Sequence, residues 1–354
     1  MLFLKSVPAN RKAHNDFEWP AEVGAIVEAP DWNPTKKCGG GLHGLIGGRG
    51  DSVVLCSYAD AVWYAFESID VDGDPCVVDI DGKKGKCRKA IIRAIGTRNE
   101  VVRWLVDAGC VGVHFSKVDA GDYGIAMSGD QGHANAGASG VAVAGHGSEV
   151  SVAIDGVAIA ANYSNVVAGE GGVAIAGNDS TVSAGDDGIA AACKLGIATA
   201  GDRGTAITGR HGQSTVGSNG AAIAGDFAGA TAGHHGMARA GISGVVIAGI
   251  CGVAVVADHG RAKAGDGGTA VAGINATAKV GDYGTAIAGS RGTAIAGQGG
   301  VAIAGHGGRV MAGMAGLLII RQYSSAPAQA IVGQNGIEPG TMYELRRGKF
   351  VPVP

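Results

Sequence analysis

Small and variable side chains alternate through the middle of the chain in a unit of eight residues. In Thr285–Ala288 (TAIA) the alanines take every second position, which is the period of a β-strand. The four residues before them, Gly281–Gly284 (GDYG), have the composition of a tight turn. Two such units supply two strands and two turns, so the pattern predicts one coil of a β-solenoid for every sixteen residues.

Glycine recurs at one position of this pattern without exception. It occupies thirteen consecutive sites at a spacing of sixteen residues, from Gly124 to Gly316, and the half-way sites hold glycine, serine or alanine. A fixed repeat is the mark of a solenoid. We predict a mainly β chain with a two-faced β-solenoid over residues 119–318. About twelve coils at a strand spacing of ~4.8 Å would make a rod roughly 58 Å long.

Charge indicates which alternate positions face inward. Arg239, Lys263 and Lys279 take variable positions, and an unpaired charge inside a thin solenoid would cost several kcal/mol. We therefore expect the alanines to form the interior, where a larger side chain would overpack neighbouring coils.

The outward positions of the two strands of a coil differ. They are mostly valine and isoleucine on the first strand, whereas the second carries polar residues such as Glu149 and Arg261. An apolar strip along most of the rod would exceed the roughly 300 to 600 Å² of the largest patch on ordinary monomers. We predict that a second copy covers it in a homodimer, with cover by the N-terminal domain or by a different partner as alternatives. The predicted interface residues are Val141, Val143, Val157, Ile159, Val173, Ile175, Ile207, Ile223, Val253, Val255, Val271, Ile287, Ile295, Val301 and Ile303.

Residues 1–118 have an ordinary globular composition and contain all four tryptophans. Alternation over Gly24–Ala29 and Cys76–Ile80 predicts strands, and Ala59–Phe66 and Glu100–Ala108 are interpreted as helices. We expect a small α+β N-terminal domain that also caps the first edge of the solenoid.

The end of the chain departs from the repeat. Leu317–Ile320 becomes bulky, and Ile337–Val351 predicts a turn followed by a β-hairpin. We expect residues 319–354 to form the second cap. The basic residues expected to protect its edge from further pairing are Arg346, Arg347 and Lys349.

Composition excludes several classes of protein. The 65 glycines lack the every-third spacing of collagen, and 46% hydrophobic residues with a net charge of -3 are atypical of a disordered chain. Mild acidity gives no attraction to nucleic acid. An uninterrupted apolar stretch of about 18 residues is absent from the sequence, so we expect no membrane span.

The termini and cysteines suggest a cytoplasmic protein. The first residues lack the order of a signal peptide, because Lys5 and Pro8 interrupt the apolar start. Seven cysteines without a CxxC pair favour free thiols in a reducing compartment. Six histidines lie in or beside the turns at irregular spacing, so we expect neither a metal site nor a cofactor. The turn aspartates are expected because aspartate bonds its own backbone.

The repeat also carries two resemblances. The octads GTAIAGSR, GTAIAGQG and GVAIAGHG, with GLHGLIGGRGD at 41–51 and VVDIDGKKGKCRKAIIRAIG at 77–96, resemble uncharacterised bacterial and phage repeat proteins with GTATAGDx-like units behind a small N-terminal domain. That group implies no activity. The solenoid is also similar in pattern to ice nucleation proteins, whose coils of sixteen residues carry outward TxT rows. Valine and isoleucine stand here instead, and TxT is fragmentary, as at Thr205 followed by Ile207.

A third resemblance concerns the N-terminal domain. Gly41–Gly44 followed by Asp60–Phe66 resembles the nucleotide-side half of ADP-ribosyltransferase-like folds, in which a histidine and an aromatic helix frame the nicotinamide. This makes His43 a candidate cofactor-binding residue, although it is also interpretable as a structural histidine in a glycine-rich turn. The family's catalytic glutamate has no counterpart that can be placed here.

These observations favour a non-enzymatic structural or interaction protein. We expect it to self-associate through the valine and isoleucine strip, while its N-terminal domain recognises an unknown partner. Nucleotide binding or ADP-ribosyltransferase-like activity in residues 1–118 is the first alternative. Ice or surface binding by the solenoid is the second.

Overall fold

The computed structural model describes residues 1–56, 58–71, 77–322 and 326–353. The chain divides into two compact units. The first comprises residues 1–136 and 141–150, and the second comprises residues 137–140 and 151–354. Both are built mainly from β-strands, which confirms the predicted fold class.

A seven-stranded antiparallel sheet forms the body of the first unit. The elements are β1 Leu2–Val7, β2 Ile26–Glu28, β3 Leu42–Ile46, β4 Val62–Ser68, β5 Val77–Ile80, β6 Lys84–Cys87, β7 Lys89–Gly96 and α1 Arg98–Asp107, with short 3-10 segments at His14–Asp16 and Ser52–Val54. The strands lie in the order β2-β7-β4-β1-β3-β6-β5. Helix α1, the one α-helix of the described residues, covers one face of the sheet through Val101, Val102 and Leu105.

Strand β4 corrects the helix predicted over Ala59–Phe66. Tyr64 and Phe66 belong to the core on one face of the sheet, whereas Trp63 and Ala65 belong to the core beneath α1 on the other. A strand buried on both faces is apolar at successive positions, so its periodicity does not distinguish it from a buried helix. The helix prediction was wrong because the residues on both faces of β4 are apolar, so the strand shows no alternation of apolar and polar positions.

The other predicted elements of the first unit are present in the described residues. β2 lies within Gly24–Ala29, and β5 lies within Cys76–Ile80, whose first residue falls outside the described part of the chain. The predicted helix over Glu100–Ala108 is confirmed and begins two residues earlier. Its start is fixed by a capping box, because Thr97 N–H donates to Glu100 Oε2 at 2.8 Å and the Thr97 hydroxyl accepts from Glu100 N–H.

Buried His114 joins the sheet domain to the first coil within this unit. Its Nδ1 accepts a hydrogen bond from Asp130 N–H at 2.8 Å. The neutral ring therefore carries its proton on Nε2, which lies 3.0 Å from the Gly50 carbonyl oxygen and donates to it. One side chain thus ties a loop of the domain to a turn of the repeat.

The repeat forms coils of two parallel strands, as predicted. The strands of one sheet are β9 Ile125–Met127, β11 Val141–Ala144, β13 Val157–Ala160, β15 Val173–Ala176, β17 Ile189–Ala192, β19 Thr205–Thr208, β21 Ala221–Ile223, β23 Met237–Ala240, β25 Val253–Val256, β27 Thr269–Ala272, β29 Thr285–Ala288, β31 Val301–Ala304 and β33 Leu317–Ile320. Those of the other sheet are β8 Lys117–Asp119, β10 His133–Ala136, β12 Glu149–Val152, β14 Asn165–Ala168, β16 Thr181–Ala184, β18 Ile197–Ala200, β20 Gln213–Val216, β22 Gly229–Ala232, β24 Val245–Ala248, β26 Arg261–Lys263, β28 Thr277–Lys279, β30 Thr293–Ile295 and β32 Arg309–Met311.

Register between coils is fixed at sixteen residues throughout the second unit. Val157 pairs with Val173 in the first sheet, and Thr181 pairs with Ile197 in the second. Identical positions therefore stack directly on one another. Ala158, Ala174 and the alanines that follow them are buried, which confirms that alanine forms the interior. One polar pair lies inside, where the hydroxyls of Thr208 and Ser214 are 2.9 Å apart and Ser214 donates to the Ile223 carbonyl.

The glycines of the repeat serve close approach rather than positive φ. A Cβ on Gly188 would lie 2.8 Å from Ala184 Cβ and 2.9 Å from the Gly172 carbonyl oxygen. Positive φ falls on the residue before the repeat glycine, as at Asp187 and Arg203, where φ is 55° and 59°. In some turns that preceding residue is itself a glycine, as at Gly171 and Gly267, where φ is 66° and 65°.

Three antiparallel pairings end the second unit, including the one between the two strands of the closing hairpin. β33 pairs with the strand after it, and β32 pairs with the first strand of the predicted hairpin. The strand that follows β33 was not predicted from the sequence, whereas the hairpin was. The three closing strands are β34 Ala328–Ile331, β35 Tyr343–Arg346 and β36 Lys349–Pro352.

Candidate functional site

The outward side chains of the first sheet form two parallel columns in the second unit. Val157 and Ile159 stand over Val173 and Ile175, and the same two positions recur in each coil. Stacking covers the flanks of these side chains but leaves their tips in solvent, so Ile175 is 40% exposed. We call this surface, from Val157 to Ile319 on strands β13 to β33, the aliphatic strip.

The predicted interface residues lie almost entirely on this sheet. Val141 and Val143 occupy the equivalent outward positions on β11 in the first unit. Ile295 is an exception and a correction, because it lies on β30 of the opposite sheet, between Lys279 and Met311. It stands eight residues out of phase with Ile287 and Ile303, which is half a coil.

Arg239 interrupts the aliphatic strip. It stacks between Ile223 and Val255, with five coils of the second unit on either side of its own. No acidic side chain of the described residues forms an ion pair with it. Its guanidinium therefore divides the strip into two apolar runs of similar length.

The opposite sheet is polar with apolar interruptions. Four consecutive coils place hydroxyl side chains in one outward column, where Ser183, Thr199, Thr215 and Thr231 stand in register. The next residue of that column is Ile247. We call these four residues the hydroxyl column.

The aspartates of the turns bond the next coil rather than their own backbone. Asp266 Oδ1 accepts from Asp282 N–H at 2.9 Å, and Asp282 Oδ1 accepts from Gln298 N–H at 2.7 Å. Asn162 does the same for Asn178 N–H. Among the described residues, no three histidine, cysteine, aspartate or glutamate side chains are grouped so as to hold a metal ion.

His43 lines a cavity of about 200 Å³ in the first unit, together with Lys5, Trp19 and the backbone of Gly39 to Gly41. Burial lowers the pKa of His43 to about 4, and the nearby charges of Lys84, Lys5 and Lys86 act in the same direction. The imidazole is therefore neutral at physiological pH. Its Nε2 is buried and has no hydrogen-bond partner in the described part of the chain.

Three lysines surround this end of the sheet. Lys86 is fully buried, and its ammonium donates to the carbonyls of Lys37 at 2.9 Å and Gly39 at 2.7 Å. Lys84 Nζ lies 3.0 Å from Cys38 Sγ, and this hydrogen bond lowers the pKa of the exposed thiol. Burial lowers the pKa of Lys5, and Lys84 adds to the effect. Sequence reasoning missed this group because Lys5 lies about 80 residues before Lys84 and Lys86, and Cys38 lies 46 residues before Lys84.

The geometry gives little support to an ADP-ribosyltransferase-like site. The aromatic segment expected to be a helix beside His43 is strand β4, as described above. The cavity is also smaller than the roughly 300 to 1,000 Å³ typical of drug-sized and cofactor ligands.

No helix in the described residues is long and apolar enough to cross a membrane.

Comparison with known proteins gives one similarity. No protein family matches the chain, and no solved structure matches it. Over 108 residues the chain is 31% identical to an ice nucleation protein of Pseudomonas fluorescens. The match covers 30% of this chain but only 8% of that protein's length. The chain is therefore a β-solenoid repeat protein with distant similarity to an ice nucleation protein.

Proposed function

We propose that this chain is a non-enzymatic assembly module whose solenoid associates with a second copy of itself through the aliphatic strip. The observation that carries the proposal is the in-register column of β-branched side chains. Ile159, Ile175, Ile207 and Ile223 are each 37% to 41% exposed. Such a flat, regular apolar surface matches the same surface of a second copy, and two-fold pairing is the commonest oligomer symmetry.

The size of the strip sets the expected affinity. Eleven coils at a spacing of about 4.8 Å give a length of about 50 Å, and two outward residues per strand give a width of about 10 Å. Each copy would contribute about 500 Å², which lies within the roughly 300 to 600 Å² of the largest patch on ordinary monomers and does not exceed it as the sequence suggested. The total of about 1,000 Å² lies just below the roughly 1,200 to 2,000 Å² of stable specific interfaces. We therefore expect dimerisation that depends on protein concentration.

Arg239 restricts how two strips can align. Covering its guanidinium with an apolar side chain would bury an unpaired charge, which is strongly unfavourable. Favourable alignments therefore leave Arg239 at the border of the contact or open to water. Arg239→Ile would remove this restriction and join the two apolar runs.

The test is the solution mass by light scattering across a range of concentrations. Ile287→Lys should shift the chain toward monomer, and Arg239→Ile should shift it toward dimer. Thr215→Lys is the matched control, because it introduces the same charge on the opposite sheet and should leave the mass unchanged. Circular dichroism establishes that each variant is folded. A wild-type chain that remains monomeric at high concentration would overturn the proposal.

Ice binding is a second candidate function, favoured by the similarity to an ice nucleation protein and by the hydroxyl column. The same two variants separate the candidates. Thr215→Lys should abolish adsorption to ice while leaving the mass unchanged, whereas Ile287→Lys should have the reverse effect. Absence of wild-type protein from growing ice would remove this candidate.

The cytoplasmic location remains a proposal, which fractionation of cells can check.

A further inference from the structure

We propose that the outer edge of strand β9, Ile125–Met127, is a docking site for an extended segment of a partner protein, which adds to the sheet as an antiparallel strand. This inference is independent of the assembly function, because it concerns a strand edge in the first unit and not the aliphatic strip. It is carried by backbone groups that lack the hydrogen bonds made by their counterparts in later coils, and by the apolar side chains beside them.

The backbone of β9 bonds to the solenoid on one side. The Gly124 carbonyl accepts from β11 at 2.9 Å, and Ser128 N–H donates to β11 at 3.0 Å. In a parallel ladder alternate residues direct their N–H and C=O groups to opposite neighbours. The groups of Ile125 and Met127 therefore point away from β11, toward the outer edge.

These four groups have no partners at the outer edge. In the second unit the equivalent N–H of Val173 donates to the carbonyl of Gly156, in the preceding coil, at 2.9 Å. Within the described part of the chain no strand pairs with the outer edge of β9, and neither Ile125 nor Met127 forms a backbone hydrogen bond across it. The edge thus offers two donors and two acceptors, which an added β-strand can satisfy.

The side chains beside this edge are apolar and exposed. Ile125 is 67% exposed, whereas Ile175, which has a coil on each side, is 40% exposed. Val118, the inward residue of β8 at this end of the interior, is partly buried, whereas Ala134 beside it on β10 is fully buried. The flank of the first coil that faces away from β11 is therefore open.

The outer edge of β8, the other strand that begins the solenoid, is protected by charge. Lys117 and Asp119 are exposed, and 3.7 Å separates Lys117 Nζ from Asp119 Oδ2. Charged side chains at an edge oppose the addition of a further strand. Strand β9 carries no charged residue, so it is the edge of the first coil that suits such an addition.

The opposite end of the same sheet shows which kind of strand covers an edge. There β34, which lies outside the coils, pairs antiparallel with β33 and places Ala330 opposite the buried residue Leu318. A strand added to β9 would likewise need a small residue opposite Ala126, with apolar residues beside Ile125 and Met127. Because the strand that covers β33 does not belong to a coil, we expect an extended segment and not the solenoid of a second copy.

The experiment measures hydrogen exchange by NMR in the full-length chain with the synthetic peptide acetyl-KTVAIATK-amide, in which alanine separates valine from isoleucine. The Ile125 and Met127 amides should exchange fast in the free chain and at least tenfold more slowly with the peptide bound. In an antiparallel pair the valine and isoleucine of the peptide bond to β9, and its alanines point away. N-methylation of the valine and isoleucine nitrogens should therefore abolish binding, whereas N-methylation of the two alanine nitrogens should preserve it.

Variants of the chain locate the bound peptide. Ile125→Pro removes one donor from the outer edge and should weaken peptide binding at least tenfold, because proline is tolerated where the N–H lies outside the ladder. Lys117→Pro is the matched control, since it makes the same change at the edge of β8 and should leave binding unchanged. Met127→Lys adds a protecting charge and should also weaken binding. Circular dichroism establishes that each variant is folded.

Four results would overturn the proposal. The first is protection of the Ile125 and Met127 amides in the dilute free chain, because residues of the same chain would then cover the edge. The second is protection that rises with chain concentration alone, which would assign the edge to a second copy. The third is unchanged exchange at millimolar peptide, and the fourth is full peptide binding by folded Met127→Lys or by the peptide methylated on valine and isoleucine.

Discussion

The Asp202 carboxylate accepts a hydrogen bond from the backbone N–H of Ser218, sixteen residues later, with 2.7 Å between Oδ1 and N. The same relationship joins Asp186 to Asp202 at 2.8 Å and Asp226 to Ile242 at 2.8 Å. Successive turns are therefore linked by side chains as well as by the strands. A turn aspartate in this solenoid stabilises the contact between coils.

Removal of one of these hydrogen bonds should weaken the structure mainly at the two turns that it joins. Asp202→Ala leaves Ser218 N–H without its acceptor and should cost about 1 kcal/mol, the usual net value of a hydrogen bond. Hydrogen exchange at the Ser218 amide should become faster, and the melting temperature should fall slightly. Asp202→Asn keeps an acceptor oxygen, as Asn162 does in its own coil, and should preserve most of the protection. Unchanged exchange in the alanine variant would contradict the role of the carboxylate.

The interior should tolerate no enlargement. Ala286 is fully buried between Ala270 and Ala302, so a leucine there has no space in three successive coils. Ala286→Leu should destabilise the fold by about 1 to 3 kcal/mol in urea unfolding. Ile287→Leu changes the adjacent outward residue and should have a much smaller effect. Equal stabilities of the two variants would count against the inward position of the alanines.

Crowding at the repeat glycines makes a separate prediction. Gly188→Ala would force a Cβ against the Gly172 carbonyl and should cost about 1 to 3 kcal/mol. Ser243→Gly is the comparison, because Ser243 already has a φ of 56°, where glycine is favoured. That variant should remain within about 0.5 kcal/mol of wild type in the same unfolding experiment. A tolerated Gly188→Ala would show that neighbouring coils can separate at little cost.

The Cys38 thiol should react unusually fast. The hydrogen bond from Lys84 lowers its pKa, so a larger fraction is thiolate at pH 7 than for an ordinary cysteine with a pKa of about 8.5. Lys84→Gln should slow alkylation by iodoacetamide several-fold at pH 7 and shift the rate profile to higher pH. Mass spectrometry of the same samples provides the control, because alkylation of Cys193 should not change. Equal Cys38 rates in the two chains would exclude the role of Lys84.

His43 should make stability depend on acid pH. Its pKa is about 4 in the folded chain and about 6.5 when unfolded, so the unfolded state binds more protons between these values. Its contribution is complete above pH 6.5 and is lost as the pH falls through 4. An NMR titration should place the His43 midpoint near 4, and Lys84→Gln should raise it. Lys83→Gln should leave it in place, and a wild-type midpoint near 6.5 would contradict this account.

The solenoid could be predicted from the sequence because the same pattern of strand and turn residues recurs in every coil. A single period fixes the register, and charged residues such as Arg239 show which positions face outward. The links between turns could not be predicted in the same way. The bond from Ser218 to Asp202 exists only once two coils are stacked, and the residue types alone are equally consistent with an aspartate that bonds its own turn.

The first unit was less predictable because its contacts connect distant segments. Strand β4 is apolar on both sides, so its alternation gave no guide to its structure. Cys38 meets Lys84 because the loop before β3 is held against β6 by Lys86, whose ammonium donates to the carbonyls of Lys37 and Gly39. A contact of this kind has no local trace in the sequence. The same holds for the cavity of Lys5, Trp19 and His43, whose lining comes from several separate segments.

The antiparallel strand β34 ends the stack of parallel coils after β33. A further coil of the same kind would have to stack on a strand that runs in the same direction as β33. Ala328–Ile331 covers that position and runs in the opposite direction. The antiparallel pairing of β34 therefore interrupts the parallel stack on this sheet. Copies that associate through the aliphatic strip would do so side by side, with coils stacked within each copy and not between copies.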